Sequence, residues 1–283
     1  MPGRTRPIEK CRITCMTPAD IAFAVSLTDR EGWGFFGSDF ETRLRLYPSG
    51  SFVARHGRES VGMISSVTYG TYAYLGNLIV REGHRGHGIG AELMLHAVNY
   101  LLGKGVTTIE LDGVWGAVTM YRKLGFRDKH LSLRFSRPAD KRAVEPMNSA
   151  IPATPIIALD RKLVGVARQR LLRAALTDRR NSLVVQGSPV SAYALIRERA
   201  GGFSMVAPII APSWRQVPPL VDSVIKHYGD RPLWVGVPEP NYRMSQFLLS
   251  CGFVSREPSL RMYYGTRLNY EKHVYGIFGP AIG

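Results

Sequence analysis

Val80-Arg81-Glu82-Gly83-His84-Arg85-Gly86-His87-Gly88-Ile89-Gly90 is the stretch on which the reading of this chain turns. It joins an apolar run, Tyr74 to Val80, to a segment that opens Ala91-Glu92-Leu93-Met94 and has helical character. A strand, a turn with glycine at 86, 88 and 90, and a helix start together form a cradle for a diphosphate. Glycine lets the backbone turn sharply and approach an anion with no Cβ in the way. The free N–H groups and the positive end of the helix dipole then face the phosphate oxygens, and Arg85 adds a full charge. The spacing is neither the Gly-x-Gly-x-x-Gly dinucleotide fingerprint nor a P-loop, which requires Gly-Lys-Ser/Thr.

Other landmarks stand at fixed distances from this turn. Leu78 and Val80 precede it, a helix-length pattern covers 88–103, and a β-rich run follows over Val106–Leu111. Met120-Tyr121-Arg122-Lys123-Leu124-Gly125-Phe126 comes next. The order Leu-x-Val, Arg-x-x-Gly-x-Gly, helix, strand and Tyr-x-Lys-x-Gly-Phe resembles the GNAT superfamily of N-acetyltransferases. Two positions depart from that pattern: Glu82 stands where a proline is usual, and Val114 where an asparagine often contacts the pantetheine arm.

The resemblance implies an acetyl-CoA-dependent N-acetyltransferase in which an amine attacks the thioester directly. It puts the diphosphate on the amides of Arg85, Gly86, His87, Gly88, Ile89, Gly90 and Ala91. The pantetheine then lies along the backbone of Leu78, Ile79 and Val80, where a main-chain N–H can also hold the thioester oxygen. Tyr121 becomes the candidate general acid for the leaving thiolate. The general base stays open among Glu110, Asp112 and a water chain, with Tyr72 and Tyr74 near the position where relatives carry a carboxylate. No metal is implied.

The second half repeats the first. Gly125-Phe126 and Ser132-Leu133-Arg134 recur as Gly252-Phe253 and Ser259-Leu260-Arg261, each at an offset of 127 residues. Such a period predicts two domains of one fold, of mixed α/β class with a mixed sheet. We expect a catalytic domain over 1–140, a linker over 141–157 where Pro, Ala and Ser displace any apolar period, and a second domain over 158–283. In that copy the three loop glycines become Ser213, Arg215 and Val217, followed by Pro218-Pro219, and Tyr121 becomes Leu248. Prolines carry no N–H to donate, so the copy is expected to keep the fold without the cofactor loop. A single helix is expected over 164–176, and the apolar end Tyr275–Gly283 is expected to dock.

Lys and Arg outnumber Asp and Glu by 15. A basic rim raises the on-rate of a polyanion, but the charges form no long tract and accompany no nucleic-acid motif, so nucleic acid is not the expected partner. Cys11, Cys15 and Cys251 lack the spacing of a zinc site. No apolar stretch approaches membrane-spanning length, which makes the cytoplasm the expected compartment. The segment Glu31-Gly-Trp33-Gly-Phe35-Phe36-Gly-Ser-Asp39-Phe40 reads in two ways: as a wall on the acceptor side, its rings and carboxylates suiting a cationic amine, a small molecule or a peptide, or as a loop over Trp33, Phe35 and Phe36 as core residues. Trp115 is expected to narrow that channel. An acetyl-CoA-binding sensor without turnover is the alternative, and a homodimer is compatible with either.

Overall fold

The computed structural model describes residues 11–140 and 151–283; residues 141–150, most of the expected linker, lie outside them. The first half runs β1 (Arg12–Cys15), α1 (Ile21–Arg30), α2 (Gly37–Leu46), β2 (Ser51–His56), β3 (Glu59–Tyr69), β4 (Tyr72–Val80), α3 (Ile89–Gly103), β5 (Thr108–Gly113), α4 (Trp115–Lys123) and β6 (Arg127–Arg137). The second runs α5 (Ala153–Val164), α6 (Gln169–Thr177), β7 (Asn181–Gln186), β8 (Ala192–Arg199), β9 (Phe203–Ile210), α7 (Val217–Tyr228), β10 (Leu233–Pro238), α8 (Tyr242–Ser250), β11 (Val254–Gly265) and β12 (Val274–Gly276).

Strands and helices form where the sequence dictates. β3 and β4 are rich in β-branched and aromatic residues and buried on both faces, as central strands must be. α3 buries Ile89, Leu93, Met94, Ala97, Val98 and Leu101, one helical stripe, against β2–β5. The repeat is exact at the helix ends. α4 and α8 start and stop 127 residues apart. Both end in a glycine of positive φ, Gly125 and Gly252, with Phe126 and Phe253 donating N–H to the carbonyls of Tyr121 and Leu248.

The two halves share one 12-stranded sheet, in the order β1-β2-β3-β4-β5-β11-β6-β10-β9-β8-β7, with β12 beside β9. The strand that follows the Gly-Phe of each half, β6 in the first and β11 in the second, is therefore exchanged. β11 pairs with β5 of the first half, and β6 pairs with β10 of the second. Ser132 faces Ser259, its own counterpart in the repeat, so a pseudo-twofold axis passes between them. The cores follow the exchange: Leu260 and Met262 complete the core under α3, and Phe135 completes the core under α7.

A buried charge network holds the exchanged strand in register. Arg261 on β11 donates Nε to Asp112 at 2.8 Å and pairs with Glu110 at 3.3 Å, both on β5. Glu110 also takes Lys129 at 2.6 Å and hydroxyls from Tyr72 and Tyr270.

One helical assignment from the sequence is corrected. The stretch expected to be one helix over 164–176 holds the end of α5 and then α6, because Gly165, at φ 74, caps α5 in the left-handed region and the chain restarts at Gln169. α5 begins at Ala153, with Pro155 in its first turn, where the proline's missing N–H costs nothing. The C-terminal segment docks as expected, burying Tyr275, Ile277, Phe278, Ala281 and Ile282.

Candidate active site

β4 and β5 run parallel and paired from Tyr72–Thr108 to Leu75–Leu111, and there the ladder ends. Beyond it the strands part, and a cavity of about 440 Å³ opens between them. Leu78, Ile79 and Val80 line one wall, and Leu111, Val114 and Tyr121 the other. The register of β3 on β4 slips at the same level, with Asn77 at φ 55, the one non-glycine of positive φ among the described residues. Asn77 stands at this bulge, among the residues that line the cavity. The residue is 3% exposed, and neither its Nδ2 nor its Oδ1 has a hydrogen-bond partner. Leaving such an amide unmet costs about 1–3 kcal/mol, so the position suits a ligand's polar atom.

The glycine loop adjoins this cavity through Val80 and Arg85, both of which line it. Gly86 and Gly88 both sit at φ 82, and a Cβ on either would meet no atom within 4 Å. Gly88 is the N-cap of α3, a helix of 15 residues. The amides of Gly86, His87, Gly88, Ile89, Gly90 and Ala91 have no acceptor among the described residues. A row of unmet N–H groups at a helix N-terminus is an anion site in both hydrogen bonding and field. Arg85 adds less than expected. Its Nε donates to the Val80 carbonyl at 2.9 Å and its Nη2 to Glu31 at 2.8 Å, so it fastens the loop to the segment before α2.

Tyr121 projects from α4 into the far wall, 6% exposed. Burial pushes its phenol up to about 12, so it keeps its proton at neutral pH. The two carboxylates considered as bases are engaged. Asp112 is buried, yet Arg261 and Ser132 hold it below the usual carboxylate range. Glu110 is enclosed by Lys129, Arg261 and two tyrosines. Both are committed to these partners, so neither stands as a free proton acceptor in this arrangement.

The segment 31–40 does wall the cavity, through Glu31, Trp33, Phe35 and Asp39, but its carboxylates are not open to a cationic amine. Glu31 is paired with Arg85. Asp39 accepts the Phe36 N–H at 2.9 Å and faces Arg199 and Arg180 at 3.7 and 3.8 Å. Trp115 is 46% exposed and lies outside the lining; its neighbour Val114 takes that place.

That the second half closes one side of the pocket is among the roles its repeat suggests, but the residues that do so carry no signal in the sequence. The cavity runs on to Arg197 and Arg199 of β8, Phe203 and Met205 of β9, and the tail Ile277–Ile282. Ala281 lies so close to Gly76 that a Cβ there would meet its Cα at 2.5 Å, and Tyr69 donates to the Ile282 carbonyl at 2.6 Å. In the second half the corresponding strands, β9 and β10, pair only at Ser204–Leu233 and Met205–Trp234. The gap beyond is filled by the chain itself: β12 pairs with Ile209 and Ile210, and Ile277 donates to the Gly236 carbonyl at 2.9 Å. Where the loop would be, one turn over Trp214–Gln216 leads into α7 with prolines at 218 and 219.

Comparison with known proteins agrees with this geometry. The acetyltransferase (GNAT) family model matches residues 23–126, and a second acetyltransferase (GNAT) domain model matches 156–276, together more than three quarters of the chain. No curated protein matches the chain significantly. Among solved structures, a candidate acetyltransferase from Pyrococcus horikoshii is similar at TM-score 0.81 and 24% identity, over 99% of each chain. A GCN5-related N-acetyltransferase from Sphaerobacter thermophilus matches at TM-score 0.66 and 13% identity, over 92% of this chain and 96% of that one. A tandem GNAT protein from the clavulanic acid biosynthesis pathway matches at TM-score 0.65 and 15% identity, over 92% and 100%. With both halves matched by family models and a parted β4–β5 pair above a glycine loop, this chain belongs to the GNAT family, as two tandem domains of that fold.

Proposed function

We propose that the protein is an acetyl-CoA-dependent N-acetyltransferase with one donor site per chain, in the first half, acting on a primary amine. The observation that carries this reading is the run of unmet amides from Gly86 to Ala91, which follows directly on Val80 and Arg85 in the lining of the gap beyond the β4–β5 ladder. The residues present fit the donor. The amides and the α3 dipole suit its diphosphate, the apolar walls from Leu78 to Val80 suit its pantetheine arm, and Asn77 offers an unmet amide beside that arm. When bound, acetyl-CoA supplies an acyl thioester. Tyr121 holds a proton at its phenol oxygen for the departing sulfur, and the main chain near Leu78 offers N–H groups to the oxygen on which charge develops.

Two variants separate chemistry from binding. Tyr121→Phe keeps the buried ring and removes the proton donor; it should lower kcat about 100-fold, as loss of a general acid does, with the acetyl-CoA Kd unchanged. Thiol release and calorimetry read the two, and equal turnover makes Tyr121 a packing residue. Asn77→Gly suits the positive φ better than asparagine and removes an unmet buried amide, so the Tm should hold or rise. At the same time kcat/KM should fall by about tenfold, the loss of one hydrogen bond to a ligand. An unchanged kcat/KM removes Asn77 from the site. A protein that binds acetyl-CoA but releases no thiol with any amine would support a sensor instead.

A further inference from the structure

The acceptor end of the cavity is more positive than the fold requires. Arg43 on α2 and Arg197 and Arg199 on β8 all line it, and Arg43 and Arg199 are each 4% exposed. Buried arginines are ordinarily matched by carboxylates, as Arg168 is by Asp160 and Arg261 by Asp112 in this same chain. Among these three only Arg199 reaches a carboxylate, at 3.7 Å from an Asp39 that Arg180 also approaches. Arg43 donates to the Ser65 hydroxyl, Arg197 to the Phe278 carbonyl at 3.0 Å, and Arg199 to the Trp33 carbonyl at 3.0 Å.

Aromatic faces hold the guanidinium planes in place of counter-ions. Arg199 lies 4.1 Å from the Phe35 ring centroid, Arg43 lies 5.7 and 5.8 Å from Phe40 and Phe35, and Arg197 lies 5.3 Å from Phe278. The carboxylates nearby are Asp39 and Asp178. Asp178 is gripped by both nitrogens of the Arg180 fork, and Asp39 is shared between Arg199, Arg180 and the Phe36 amide. Four arginines therefore face two carboxylates. The Nε of Arg199 is buried with no partner at all. Burial draws the Arg43 guanidinium down to about 10, and burial with the repulsion of Arg197 draws Arg199 to about 9, so both stay charged at neutral pH.

We infer that the acceptor carries, besides its amine, an anionic group, a carboxylate or a phosphate, which docks among Arg43, Arg197 and Arg199. Arginine forks match either oxyanion bidentately. The ring-held orientation means that little side-chain freedom is lost on binding. The Asn77 amide lies along the same cavity, toward the donor gap. This inference rests on the acetyltransferase reading and names its substrate class. It also replaces the cationic acceptor expected from the rings and acids of residues 31–40.

The test uses matched probes on the full chain: L-amino acids against the same amino acids as amides, and O-phosphoethanolamine against ethanolamine. Calorimetry on the free and the CoA-saturated protein reads binding, and thiol release reads turnover. The expected result is at least a tenfold preference for the anionic member of one series, which also decides between carboxylate and phosphate. Arg197→Gln, at a half-buried position, should erase that preference, and Arg197→Lys should retain part of it. Equal or better use of the neutral members overturns the inference, as does a preference that survives in Arg197→Gln. So does failure of every anionic probe to bind while acetyl-CoA still does. Failure to bind acetyl-CoA is a separate result, and it overturns the donor-site reading instead.

Discussion

Gly88→Val should abolish measurable acetyl-CoA binding while leaving the protein folded. At φ 82 Gly88 holds a conformation that a β-branched residue adopts only under strain, of about 1–3 kcal/mol. No atom lies within 4 Å of a Cβ placed there, so the surrounding structure accepts the volume. What changes is the row of N–H groups. Relaxing Gly88 turns the amides beside it away from a common focus, and the new side chain stands where the backbone has to approach the diphosphate. Hydrogen bonds to charged groups contribute about 1.5–3 kcal/mol each. Losing two therefore weakens binding by about 100-fold to 10,000-fold. Calorimetry beside a thermal melt separates this from unfolding. A Kd within threefold of wild type, in a protein of unchanged Tm, removes the loop assignment.

Arg261→Ala should destabilise the whole molecule by about 3–5 kcal/mol, the cost of stranding the buried Asp112 by removing its partner. Arg261 belongs to the second half and Asp112 and Glu110 to the first, and the three are almost wholly sealed from solvent. The residue therefore both neutralises the interior and fixes the register of the exchanged β11 on β5. For a chain of this size such a loss lowers the Tm by about 10 °C or more. The pH dependence should change sign with it. In the wild type Asp112 titrates below its unfolded value, so its contribution is present above the unfolded pKa and fades as pH falls through the folded one. Without Arg261, burial forces Asp112 upward, and acidification from pH 7 to 5 should recover stability. A variant within 1 kcal/mol of wild type at pH 7 would show that the exchange is held by apolar packing and main-chain pairing alone.

The local reading of the sequence carried far in the first half. The strand over 72–80, the helix over 88–103 and the glycine turn between them follow from hydrophobic period and turn chemistry, which are properties of neighbouring residues. The repeat was legible because Gly125 and Gly252 each answer a backbone demand that only glycine meets cheaply. The exchange of β6 and β11 was not. Both strands have the same alternation, and nothing in a strand's own sequence says which of two similar edges it will join.

The site was partly legible for the same reason. Its loop is continuous in the chain, whereas Arg43, Arg197 and Arg199 are brought together only by the shared sheet, and their burial is invisible in composition. Asn77 sits inside what scans as an ordinary strand; the bulge at which it stands is a register slip against β3. The filling of the second gap by Val274–Phe278 is likewise a tertiary event, although the apolar character of that tail pointed to docking.

The most direct test of the central claim is the stoichiometry of acetyl-CoA binding to the full-length chain by titration calorimetry. One site per chain at micromolar affinity, lost in Gly88→Val, is the predicted result. Two sites would contradict the reading of β12 as a plug in the second gap, and no binding would contradict the donor site itself.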